Sequence, residues 1–167
     1  MRWRSIFSKK EREMEKELIK EIEKKTFDYF QSGFMCGEAI VKAINETFGS
    51  EETRIFYKTA TAFGGGLAGT KKDICGALVG GVISIGSILG RLKVTDDEKL
   101  AFDIAQRYRR DFIKEFGSNN CEILLKGFGK QKDWLECKKL TSKASGILAA
   151  ILLKKGSTGF CVGSRRL

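Results

Sequence analysis

Residues Asp73 to Leu92 read DICGALVGGVISIGSILGRL, and the fold turns on how this stretch is taken. From Ile74 to Gly90 it holds no charged side chain and five glycines. Each glycine in a helix interior costs about 1 kcal/mol relative to alanine, so five of them need a compensating gain. Close packing supplies one: Gly76 with Gly80, and Gly86 with Gly90, sit four apart and open smooth patches to a neighbouring backbone. Asp73 is a suitable N-cap, which puts Cys75 in the first helical turn. The stretch is therefore expected to be a buried central helix with a sulfur at its mouth. It falls short of the roughly 20 apolar residues that a membrane span needs.

The flanking sequence is helical in pattern too. The chain has no proline, and apolar residues recur three or four apart, as on amphipathic helices. The expected fold is all-α, a compact multi-helix bundle around the Gly-rich central helix. Met14, Leu18 and Ile22 make a narrow stripe on a densely charged segment, so residues 1–25 read as a basic, charged helical arm on the outside of the domain or reaching a partner. Ser32 and Gly33 break it. A second helix should start just before Cys36 and run to about Phe48, with Cys36, Ile40, Ile44 and Phe48 on one stripe and Gly49 ending it. Ser50 then caps a helix carrying Ile55, Phe56, Thr59, Ala60 and Phe63 on one face. GGGLAG, Gly64 to Gly69, formally matches the dinucleotide fingerprint G-x-G-x-x-G, but no strand precedes it and no βαβ unit follows. It reads as a turn.

Beyond the central stretch, Thr95 to Glu98 form a capping box for a helix with the stripe Leu100, Ile104, Tyr108, Phe112 and Phe116, stopped by Gly117. Asn119 and Asn120 are caps for the next helix and place Cys121 in its first turn. Asp133 with Glu136 makes another capping pattern, with Cys137 near the start of a last helix that buries Leu140, Ala144, Ile147, Leu148 and Ile151. Residues 26–155 are thus one four-cysteine all-α domain, and residues 156–167, with Cys161, a flexible tail.

The formal charge is +10, and from Lys126 to Leu167 ten Lys or Arg face two acids, Asp133 and Glu136. An acidic protein, nucleic acid or an anionic membrane surface would be attracted, and Arg107, Arg109 and Arg110 are candidate docking residues. A merely solvated basic face explains the charge equally well. Histidine is absent. That removes the commonest general base and metal ligand and the usual haem axial ligand, and with them Ser-His-Asp and Cys-His machinery. An electron carrier or redox partner is a better match than a stand-alone enzyme.

Five cysteines are too few for a disulfide scaffold, and the N-terminus MRWRSIFSKK lacks the apolar core of a signal peptide, so a reducing cytoplasm is expected. Cys36, Cys75, Cys121 and Cys137 each fall at or near a helix start, beside an apolar stripe. Helix N-termini lower thiol pKa and supply N–H donors to thiolates or cluster sulfurs. Four such sulfurs are suited to a metal cluster; four small buried hydrophobes would give the same pattern. No C-x-x-C occurs, against a thioredoxin-like site or zinc ribbon.

Cys36, the ICGALVGG around Cys75, then Cys121 and Cys137 resemble the C_GCAxxG_C_C family of redox-active proteins. Cys75, Gly76, Ala77 and Gly80 meet its CGAxxG signature, FGGGLAG is similar to its glycine-rich lead-in, and the resemblance spans about residues 27 to 155. It implies a small all-α domain whose four cysteines act together in redox chemistry or bind a metal cluster. Some relatives lie beside c-type haem segments, but with no histidine and no C-x-x-C-H no haem is expected here. The expected function is electron transfer or redox sensing through an iron–sulfur cluster, [2Fe–2S], on Cys36, Cys75, Cys121 and Cys137, docked by an acidic redox partner. The alternatives are a metal-free thiol–disulfide protein and a structural or interaction module with a zinc ion on the four cysteines. A homodimer is compatible with the pattern, nucleic acid is disfavoured, and contact with a membrane surface has weak support.

Overall fold

The computed structural model describes residues 8–156, so expectations for the basic first residues, the tail and Cys161 fall outside it. Among the described residues there are seven α-helices and no strand: α1 (Lys9–Gln31), α2 (Cys36–Phe48), α3 (Phe56–Thr59), α4 (Gly76–Leu89), α5 (Lys99–Phe116), α6 (Cys121–Phe128) and α7 (Leu135–Gly156). The all-α expectation holds. No helix among these residues is long and apolar enough to cross a membrane.

The Gly-rich stretch forms α4, which packs chiefly on α2 and also on α5 and α7. Its glycines divide by role. A Cβ on Gly80 would lie 2.5 Å from the Gly37 carbonyl oxygen, and one on Gly81 would strike the Tyr108 ring. Helix backbones thus meet at Gly37 and Gly80, and the gap above Gly81 seats a fully buried tyrosine whose hydroxyl donates to the Ala77 carbonyl at 3.2 Å. The second expected patch does not exist. Gly86 faces open space, and Gly90 is the C-cap.

α1 crosses residue 25 without a break and packs along α7, with α2 on its other side. Its buried anchors are Ile22 and Thr26, the latter donating to the Ile22 carbonyl and to the Ser145 hydroxyl, each at 2.8 Å. Of the expected stripe, Ile22 is buried, Leu18 half-buried and Met14 exposed. α1 is therefore a wall of the bundle over its second half. Ile40, Ile44, Ile104, Tyr108, Phe112, Leu148 and Leu152 fill the core between α2, α4, α5 and α7.

The chain departs from the expected helix after Ser50. Two 3-10 turns, Glu51–Ile55 and Thr61–Phe63, flank the four-residue α3, and Ile55 is 69% exposed. Asn45 donates its side-chain amide to the Thr53 carbonyl at 3.3 Å, taking an acceptor that a continuous α-helix would use. The capping box at Thr95 is also absent. α5 starts at Lys99 with Glu98 as a cap that makes no side-chain bond, while Asp97 accepts from the Lys99 N–H at 2.8 Å. Asp96 is taken instead by the N–H groups of Leu92 and Lys93.

Candidate functional site

Four chain segments bring their sulfurs to one end of the bundle. Cys36 is the first residue of α2, Cys75 is the N-cap of α4, Cys121 opens α6, and Cys137 is the third residue of α7. All four line a single cavity of about 370 Å³, together with Phe30, Phe34, Leu124, Phe128 and Trp134. The cavity wall is mostly apolar, and the four thiols are free.

The expected cap at Asp73 is corrected by a pairing that no local pattern announces. Ile74 and Asn120 form an antiparallel bridge: the Cys75 N–H donates to the Asn119 carbonyl at 2.8 Å and the Cys121 N–H to the Asp73 carbonyl at 2.7 Å. The Asp73 backbone carbonyl belongs to the bridge, its side chain accepts from the Thr70 hydroxyl at 3.3 Å, and Cys75 itself takes the cap position. The bridge clamps two of the four cysteines side by side. Asn120 caps α6 as expected, accepting from the Ile123 N–H at 3.1 Å, and its amide also donates to the Lys72 carbonyl.

The GGGLAG turn proves to be a wall of the cavity. Gly65, Gly66 and Gly69 all have positive φ, and a Cβ on Gly66 would lie 2.7 Å from the Cys121 Cβ. A side chain there would push the sulfur out of place. The backbone N–H groups of Gly65 and Gly37 favour the thiolate of Cys36, and those of Ala77 and Leu78 the thiolate of Cys75.

At α7, Asp133 is not a cap. It and Trp134 sit in the left-handed region, φ 51° and 55°. Gln131 serves the helix start instead: its side-chain oxygen accepts from the Cys137 N–H at 3.0 Å and its amide donates to the Cys137 sulfur at 3.4 Å. Asp133 pairs with Lys138, whose ammonium lies 2.6 Å from the carboxylate and 2.8 Å from the Gln31 side-chain oxygen. Lys138 is buried and so belongs neither to a docking patch nor to a solvated basic face. Its hydrogen bond to Gln31 ties the start of α7 to the end of α1, and no periodicity marked it.

Helix N-termini do not make these sulfurs thiolates. Burial pushes Cys75 up to about 12, with the neighbouring Cys36 adding to the rise, and Cys121 to about 11. Cys36 and Cys137 are raised for the same first reason. Backbone N–H donors at Cys36 and Cys75, Gln131 at Cys137 and the Lys71 charge near Cys121 pull the other way and do not prevail. Removing a thiolate from water outweighs a partial helix charge. The metal-free site is thus a set of protonated thiols at neutral pH, and loading it with a thiophilic metal must release protons.

Among the described residues, no three Cys, Asp or Glu side chains close on one point as a single metal ion requires. The four thiols, the N–H groups near their sulfurs and the apolar wall form one set of soft donors able to act together in redox chemistry.

A family model described as "Putative redox-active protein (C_GCAxxG_C_C)" matches residues 34–151, a span that begins two residues before Cys36 and includes all four cavity cysteines. No curated protein and no solved structure matches the chain.

Proposed function

Because the chain belongs to the C_GCAxxG_C_C family of redox-active proteins, we propose that it is an electron carrier or redox sensor whose Cys36, Cys75, Cys121 and Cys137 hold a [2Fe–2S] cluster. The observation that supports this reading is the shared cavity: thiols separated by up to 101 residues line one apolar site. An iron–sulfur cluster supplies reversible one-electron exchange and needs no acid–base residue. The chain's own part is to hold and tune. The Ile74–Asn120 bridge fixes the spacing of Cys75 and Cys121, while Gln131 orients Cys137. N–H donors at the sulfurs offset added negative charge, and Phe30, Phe34, Phe128 and Trp134 limit water. Free thiols of this kind suit a reducing cytoplasm.

The test is anaerobic purification followed by visible spectroscopy with iron, acid-labile sulfide and zinc analysis. Visible absorbance with equimolar iron and sulfide is expected. Stoichiometric zinc without sulfide would replace the reading with a structural zinc module.

A second reading, a metal-free protein in which two of the cysteines cycle through a disulfide, is supported by four free thiols lining one cavity. It predicts two fewer titratable thiols after oxidation, restored by reductant, in protein free of iron.

A further inference from the structure

We propose that the mouth of the four-cysteine cavity is the docking face for an acidic redox protein, with Trp134 at the lip of the cavity and Lys71, Lys72, Lys126 and Lys130 along the adjoining groove. The inference rests on the redox reading of the cavity and names the partner of that same site. Beside the cavity runs an open groove of about 530 Å³ lined by these four lysines and a single acid, Glu122. The two concavities share Lys71 and Leu125, so the basic surface is continuous with the cysteine site.

The charge of the groove is available to a partner. Lys126 is held by Glu122 at 3.0 Å, but among the described residues Lys72 and Lys130 have no ion pair and both are exposed. Lys71 lies over the Trp134 ring, 4.9 Å from its centroid, which leaves its charge in place and stations it at the lip. That charge reaches inward as well, favouring the thiolate of Cys121.

Trp134 links inside to outside. It lines the cavity and is 45% exposed, with Leu135 and Ile123 also exposed near the same loops. An apolar lip beside a predominantly basic groove suits brief electron-transfer encounters, where charge steers the approach and a small dry contact completes it. The basic surface of α5 is a poor rival. No α5 residue lines the cavity, and Arg107 and Arg110 both lean on Asp111. The exposed tryptophan and the acid at Glu122 favour a protein over a nucleic acid, whose phosphates would want an unbroken row of cations.

The experiment compares two double variants with equal charge change, Lys72→Glu with Lys130→Glu at the mouth and Arg109→Glu with Lys114→Glu on α5. Binding of an acidic flavodoxin, a one-electron carrier, is measured by titration at 20 mM and 200 mM salt, with metal-free and cluster-loaded full-length protein. The mouth variant is expected to lose affinity by tenfold or more at low salt and the α5 variant by less than twofold, with Trp134 fluorescence changing on binding. Equal losses would reduce the attraction to net charge and overturn the proposal, as would no binding at 20 mM salt. So would an oligonucleotide that binds more tightly than flavodoxin and is released by the mouth variant. Because binding is read with and without cluster, failure of the cluster assignment leaves this result standing on its own.

Discussion

At the residue scale, the glycines of α4 look alike in the sequence and differ in the fold. Gly80→Ala forces a Cβ against the Gly37 backbone, which has no flexible end to move aside, and is expected to cost about 1–3 kcal/mol in urea unfolding. Gly86→Ala meets nothing within 4 Å and is expected to stabilise by about 0.5–1 kcal/mol. An equal effect at both sites would contradict the packing described. Tyr29 gives the pH dependence. Burial, and then its hydrogen bond to Glu46 at 2.7 Å, raises the phenol to about 12 from 10.0. Its contribution is present below pH 10 and is lost as pH climbs towards 12, because the unfolded phenol releases its proton first. Denaturant midpoints measured between pH 9 and 12 should fall less steeply for Tyr29→Phe than for the parent. Spacing identified the cysteines but not Lys138, whose burial depends on Gln31 and Asp133 arriving from separate segments.

At the element scale, the helices with strong stripes were legible, as were the starts of α2 and α6, while the starts of α4, α5 and α7 were not. The stripe from Ile104 through Tyr108 to Phe112 is buried as its four-residue period requires, and Gly117 ends α5 in the left-handed conformation. Cap-type residues do not fix where a helix begins: α4 and α5 start at Cys75 and Glu98, which make no side-chain cap bond, and Gln131 rather than Asp133 serves the start of α7. The bridge between Ile74 and Asn120 joins residues 46 apart and has no local signature. Gln131 is the clearest such case, since it lies six residues before the cysteine it serves. Gln131→Leu leaves the Cys137 N–H without its partner, a loss of about 1 kcal/mol. With a cluster bound, removing the donor to sulfur disfavours the extra electron, so the midpoint potential read by redox titration should shift downward. An unchanged potential would show that Gln131 only caps the helix.

For the molecule as a whole, the fold converts four distant helix starts into one site. α2 and α4 meet through glycine, which brings the Cys36 sulfur within 2.6 Å of where a Gly76 Cβ would stand. α6 is tied to α4 by the bridge, and α7 to α1 by Lys138. The order of cysteines made a shared site legible as an expectation. Its shape, the glycine-turn wall and the lysine groove all depend on contacts between segments and were not legible. That the four sulfurs act as one unit is tested most directly by replacing them singly. Cys36→Ser, Cys75→Ser, Cys121→Ser, Cys137→Ser and, as a control, Cys161→Ser are purified anaerobically, checked for helicity by circular dichroism, and compared by visible absorption and by electron paramagnetic resonance after reduction. Loss or a marked shift of the signal in all four cavity variants, with none in Cys161→Ser, is the predicted result. A folded cavity variant with the parent's spectrum, or no cluster signal in the parent itself, would contradict it.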